Sequence, residues 1–188
     1  MEGTFIEGVE YHPHSNGGGL VAITASVAPT AYVGPKARVS ERARVLDSAK
    51  IEGEARIFGE AEISGKARVG GAAKVGGTAK VKDKARVTSR AQVFDNARVL
   101  QDASVRGRAK VWNDAVVRGK ATVFDRAVVE ESARIEGSAR IWGKAKVYGR
   151  ASVADDAQVF GEAEVGGDAK IRRDARVNDG VIESGTIR

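Results

Sequence analysis

The sequence predicts an all-β fold, a single-stranded parallel β-helix of triangular section, and two regularities predict it. Alanine stands at every sixth position from Ala25 to Ala175, and Val or Ile stands two residues after each alanine, from Val27 to Val177. These are twenty-six consecutive hexads of the form Ala-x-[Val/Ile]-x-x-x, and a fixed short period of this kind marks a solenoid. The two places after the strand positions are filled repeatedly by turn-formers, among them Gly53, Gly59, Gly65, Asp83, Asp95, Asn113, Gly119, Asp125 and Gly149.

Each hexad reads as one short strand and one bend. In an extended segment side chains alternate, so Ala25 and Val27 share one side while Ser26 and Ala28 share the other. The Ala and Val/Ile positions are uniformly apolar and the positions between them are mostly polar or charged. The first set is therefore the core. Gly, Asn and Asp tolerate the positive backbone angles that a corner needs.

A chain that bends the same way after every strand closes into a coil. Three sides give eighteen residues per turn, so the array makes about nine coils, and at roughly 4.8 Å between neighbouring strands the rod is on the order of 40 Å long. In-register stacking makes the ladders parallel. Val and Ile suit a pleated surface that stacks on its own kind, and each buried Val contributes roughly 1.5–3 kcal/mol.

Segments such as Ala55-Arg56-Ile57-Phe58-Gly59-Glu60 and Ala145-Lys146-Val147-Tyr148-Gly149-Arg150 resemble the hexapeptide repeat of left-handed parallel β-helices. Within that group the array is most similar to the YdcK-type β-solenoid repeats of bacterial and phage proteins, and the resemblance covers about residues 21–180. It implies a left-handed coil. Periodicity alone sets three sides and not the hand, and the general preference of parallel crossovers is right-handed.

The unbroken repeat makes residues 21–180 one β-solenoid domain. No apolar run approaches membrane-spanning length, and the start Met1-Glu2-Gly3-Thr4 lacks the basic-then-apolar pattern of a secretory signal. The expectation is a cytoplasmic protein with no membrane contact. Cysteine is absent, which excludes disulfides. Lys and Arg total 31 against 25 Asp and Glu, a net charge of +6. That surplus favours solubility and leaves room for an anionic partner.

Both ends leave the register. Residues 1–20 carry Ile6, Val9 and Tyr11, then His12-Pro13-His14 and the run Gly17-Gly18-Gly19, and read as an N-terminal cap or arm. From residue 178 the pattern breaks again: Val181 takes an alanine place and Glu183 falls where Val or Ile is due. Residues 181–188 read as a C-terminal cap, since an uncovered solenoid end offers unpaired backbone groups to other chains.

Catalysis finds little support. Acyltransferases of the hexapeptide fold use a histidine base lodged between subunits, and the γ-class carbonic anhydrases use three histidines on zinc. Here the coils hold no His, no Cys and no insertion, so neither set of residues has positions to fall on. His12 and His14 are the only histidines, short of a third ligand for a metal. The carboxylate pairs Glu130-Glu131 and Asp155-Asp156 are neighbours on extended chain, point apart, and read as solvated corner residues. The expected cofactor set, metal set and catalytic set are each empty.

Outer-surface chemistry emerges when positions are sorted by eighteens. One side carries Arg106, Phe124, Trp142 and Phe160 in successive coils of one column, with Arg140 in the adjacent column beside the tryptophan. This reads as an exposed aromatic ladder with basic flanks, and these five residues are the first candidate binding surface. A second side has Phe58, Phe94, Trp112 and Tyr148 in one column, interrupted by Glu130, and Arg38, Arg56, Lys74, Lys110 and Lys146 in the other. Phe94, Lys110, Trp112, Lys146 and Tyr148 form the second candidate. The third side, with Leu46, Lys82, Leu100, Arg118, Glu136 and Arg172, is mixed.

Stacked like residues stabilise neighbouring strands by roughly 0.2–1 kcal/mol per pair, and contiguous exposed aromatics also mark association surfaces. The expected function is that of a non-enzymatic rigid scaffold that self-associates or holds a protein partner through the ladder. A nucleic-acid or other polyanion binder is the competing class, since single strands stack bases on aromatics and place phosphates on Arg and Lys. An enzyme of the hexapeptide-transferase type is the other. Ice binding is excluded because no outward column is ranked with threonine.

Overall fold

Strand pairs recur eighteen residues apart along the rod. In the computed structural model, which describes residues 3–188, Arg68 pairs with Lys50 on one side and Arg86 on the other, and Val69 with Ile51 and Val87. Parallel pairing of this kind builds three sheets of 12, 10 and 9 strands, except for the two antiparallel pairs that begin the largest. These are the three sides of a β-solenoid of about nine coils, the architecture expected from the hexad.

The core is one continuous column. From Ala31 to Ile171 every Ala and Val/Ile of the repeat is at most 1 % exposed, and among the described residues no polar or charged side chain is buried. Val111 lies in register between Val93 and Val129, so β-branched side chains stack on their own kind from coil to coil. Backbone groups are consumed by the neighbouring coil: the amides of Lys110 and Trp112 donate to the carbonyls of Ala127 and Val129, each at 3.0 Å.

Corners are uniform. Every fifth hexad position from Glu41 to Arg173 has positive φ, between 53° and 77°. The glycines, Asp83, Asp95, Asn113 and Asp125 behave as their residue types predict. Glu41, Ser89, Gln101, Glu131 and Arg173 adopt the same conformation without that preference. Several of them, with the aspartates, gain a compensating bond: the carboxylate or amide oxygen accepts the corner N–H one coil on, as from Glu41 to Gly59 at 3.0 Å, Asp83 to Gln101 at 2.9 Å and Gln101 to Gly119 at 2.8 Å. Pro29 and Pro35 hold the first two corners, where φ is not positive, as the pyrrolidine ring requires.

This use of acids at corners separates charge across the surface. Between residues 26 and 177 the only acids at outward strand positions are Glu52, Glu62, Glu130, Glu136 and Glu164. The three flat faces are therefore basic and the edges carry most of the carboxylates.

The rod begins with an antiparallel element. Strand β1 (Thr4–Ile6) pairs with β2 (Val9–Pro13), and β2 pairs antiparallel with β3 (Leu20–Ala22), which starts the parallel stack against Arg38 and Val39. Glu7 and Gly8, with φ of 51° and 80°, make the tight turn that suits twisted strands. Residues 14–19 fold over the first strand of the nine-stranded sheet, where Asn16 Nδ2 donates to the Ala31 carbonyl at 3.0 Å and the Gly19 amide to Val33 at 2.9 Å. Backbone groups of that edge are thus occupied.

Residues 181–188, read from the sequence as a cap, continue the stack as two further strands, Val181–Ile182 and Thr186–Ile187. Ile182 pairs with Val165 and Ile187 with Ile171. The period shortens from six residues to five after Val177, so Ile182 takes the inward place due at Glu183 and Ile187 the next, and Gly180 and Gly185 with φ of 81° and 86° turn the abbreviated corners. Holding to a six-residue frame hides this; the spacing Gly180-Val181-Ile182 and Gly185-Thr186-Ile187 was its signal.

Candidate binding surfaces

The nine-stranded face holds the first candidate surface together. Phe124, Trp142 and Phe160 follow strands Thr122–Val123, Arg140–Ile141 and Gln158–Val159, so each ring leaves its strand at the same outward place. The rings of Phe124 and Trp142 stack 5.7 Å apart at 10°, and those of Trp142 and Phe160 4.5 Å apart at 4°. Arg106 closes one end with its guanidinium 4.6 Å from the Phe124 centroid, and Arg140 lies 5.3 Å from Trp142. Arg176, outside the candidate set, lies 5.5 Å from Phe160 at the other end.

The ladder is less exposed than expected. All three rings are half-buried, because parallel stacking makes each ring the cover of the next and the arginines cover the ends. Ring edges rather than faces meet the solvent. None of Arg106, Arg140 and Arg176 has an ion pair among the described residues.

On the twelve-stranded face, which starts with the hairpin, the second candidate set divides. Phe94 and Trp112 meet at 6.4 Å and 45°, and Lys110 Nζ lies 4.8 Å from the Trp112 centroid. The indole N–H of Trp112 is shielded and has no hydrogen-bond partner. Lys146 and Tyr148 form a separate group beyond Glu130: Lys146 Nζ lies 2.8 Å from Glu130 Oε1 and 4.9 Å from the Tyr148 ring. The hydrogen bond that the Lys146 ammonium donates to Glu130 raises the Lys146 pKa. Burial raises that of Tyr148, aided by the hydrogen bond its hydroxyl donates to Glu183 at 3.2 Å.

Glycines on this face are spaces for rings. The Phe58 ring fills the place of a side chain at Gly76, where a Cβ would come within 2.4 Å of it, and so reaches Phe94 at 5.7 Å across the intervening coil. Tyr148 covers Gly166 in the same way. Where the hairpin meets this face a cleft of about 560 Å³ opens, lined on one side by Ile6, Val9 and Tyr11 and on the other by Arg38, Arg56, Lys74, Phe58 and Phe94, with Glu7 and Glu41 at its rim. The sequence reading gave no sign of this cleft, since the path of residues 1–20 was open.

The histidines stay apart in their contacts: His12 Nε2 lies 3.1 Å from Glu10 Oε1, and His14 Nδ1 lies 3.1 Å from the Asn16 carbonyl. Among the described residues no three His, Cys, Asp or Glu side chains cluster as metal ligands. No helix among them is long and apolar enough to cross a membrane.

No curated protein matches the chain. A family model does: the YdcK β-solenoid repeat matches residues 91–108, one full coil running from Ala91 through Phe94 to Arg108. The matched coil has the same hexads, left-handed corner residues and inward Val rows as those before and after it. The chain is a β-solenoid of about nine coils, of which the coil at residues 91–108 is similar to the YdcK β-solenoid repeat.

Proposed function

We propose that the protein is a non-enzymatic rigid scaffold, acting in the cytoplasm, that assembles through its nine-stranded face, with Arg106, Phe124, Arg140, Trp142 and Phe160 at the centre of the contact and a second copy of the chain as the occupant. The left-handed coil that the hexad resemblance implies belongs to the same reading. Its main support is the order of the ladder: three rings within 10° of parallel, held between guanidinium groups. Side chains already fixed by their neighbours lose little freedom on docking, and Trp and Arg are the residue types that dominate contact energies.

Light scattering of the pure protein tests it. Wild type has a mass above that of one chain, and Trp142→Glu shifts the mass toward monomer with little change in melting temperature, because the side chain lies outside the core. A monomeric wild type overturns the reading, and a Trp142→Glu protein that unfolds reduces the ladder to a device that holds strands together. The same reading expects no turnover with acyl-CoA donors or in carbon dioxide hydration, and activity lost on His12→Ala or His14→Ala would place a site at the hairpin.

A further inference from the structure

The two aromatic arrays differ in one respect that decides what each can hold. A nucleobase stacks on a free ring face, and the ladder of the nine-stranded face has none: its rings cover one another and arginines cover the ends. On the hairpin face the rings of Phe58 and Phe94 and of Phe94 and Trp112 are tilted by 55° and 45°, with the Phe58 ring lying over the Gly76 place between the first two. These rings are half-buried, and at those angles none is covered face to face by its ring neighbour.

Beside those rings runs a cation rail. Arg38, Arg56 and Lys74 are in-register neighbours, Lys74 pairs with Gln92, and Gln92 with Lys110. None of the four cations is in an ion pair among the described residues. The parallel rail is Ser40, Phe58, Gly76, Phe94 and Trp112, so neither rail holds a carboxylate before Glu130. Four strand spacings separate Arg38 from Lys110, a track about 19 Å long, and its first part is the floor of the cleft under the hairpin.

Charge also falls across the face. Lys36, Arg90 and Arg108 stand on the corner before the cation rail, with Glu54 the single acid among its residues from 35 to 108. The corner beyond the ring rail carries Glu41, Glu60, Asp95 and Asp114, with Arg42 neutralised by Glu60 at 3.5 Å. A polymer with anions along one side and flat apolar groups along the other fits this gradient in a single orientation.

We propose that the hairpin face from Arg38 to Trp112 binds an extended single strand of nucleic acid, phosphates on Arg38, Arg56, Lys74 and Lys110, bases on Phe58, Phe94 and Trp112. Lys110 exchanges its contact with the indole for a phosphate as the strand enters. An acidic peptide satisfies the cation rail and leaves the rings unused. A duplex is excluded by its paired, inaccessible bases.

Fluorescence anisotropy of a labelled twelve-residue oligothymidylate with the full chain tests the assignment. Affinity falls with added salt, with a logarithmic slope of about −3 for four phosphate contacts, and Arg56→Gln with Lys74→Gln makes that slope about half as steep. Phe94→Ala weakens the oligonucleotide about tenfold, leaves a polyglutamate peptide unaffected, and keeps the melting temperature within a few degrees. In Trp142→Phe, where Trp112 is the sole indole, the oligonucleotide quenches tryptophan fluorescence. Absence of binding at low salt overturns the proposal, as does a salt slope that both charge substitutions leave unchanged. Equal competition by polyglutamate together with an unchanged Phe94→Ala affinity also overturns it, leaving a surface for acidic chains.

Discussion

The carboxylate of Asp95 accepts two hydrogen bonds from Asn113, one from its backbone amide and one from its side chain, both at 3.1 Å. The two residues hold the same corner in successive coils, and the relation continues upward: Asn113 Oδ1 accepts the amide of Glu131 at 3.1 Å, and Glu131 accepts that of Gly149 at 2.9 Å. Corner side chains thus form a vertical string outside the core, joining coils at the places where the strand ladders lapse.

Asp95→Ala loses these bonds and leaves a β-carbon at a φ of 58°, which predicts a loss of about 2 kcal/mol. Asp95→Gly loses the same bonds and relieves the backbone, so it costs less than alanine. Urea unfolding of both variants checks the order; equal losses would show that the backbone bears no strain there.

Val111→Asp places a charge in a column that is fully buried between Val93 and Val129. An unpaired buried carboxylate predicts a loss of several kcal/mol, on the order of 3–5. Circular dichroism should show a β spectrum for wild type and a melting transition for the variant displaced far downward.

Gly76→Ala puts a methyl group where the Phe58 ring lies, 2.4 Å from it, and predicts a loss of about 1–3 kcal/mol from overpacking. In a Phe58→Ala background the same change should be neutral or stabilising, because glycine weakens a strand. A double-mutant cycle measures the coupling, and additive effects would show that ring and glycine are independent.

Glu62 sits between Lys82 at 2.6 Å and Arg44 at 3.4 Å. The hydrogen bond from Lys82, with the charges of Lys82, Arg44 and Lys80, lowers its pKa from 4.5 despite partial burial. A carboxyl whose folded pKa is depressed adds stability above its unfolded pKa and loses it as pH falls through the folded one. Melting temperatures of wild type and Glu62→Gln should therefore differ at pH 7 and converge below about pH 4.5. A constant gap would assign the difference to packing.

Sequence and structure agree where one residue type answers one physical demand. Ala25 to Ala175 and Val27 to Val177 occupy identical inward places, so their period alone gave the coil and its core. Glu41 and Arg173 were opaque, because their corner conformation is imposed by the coil and not by their own preference. Phe124, Trp142 and Phe160 could be assigned to one column by arithmetic, but their half-buried state depends on the 4.5 Å and 5.7 Å contacts between rings, which arithmetic does not contain. Arg176 stands in the same column as Arg140, but its contact with the Phe160 ring is set by side-chain conformation, which the column does not contain. The cleft required the hairpin, and Ile6, Val9 and Tyr11 carry no repeat from which its path could be read.

Stacking at a constant eighteen residues also makes the molecule a graduated ruler. Excising one coil, such as residues 73–90, would bring the groups on either side closer by about 4.8 Å and leave their compass bearing unchanged. Excising one hexad between Arg106 and Trp142 would instead turn everything beyond it by one face, moving Trp142 off the bearing of Arg106. Spacing and bearing can thus be reset independently, with the corners absorbing the cut in both cases.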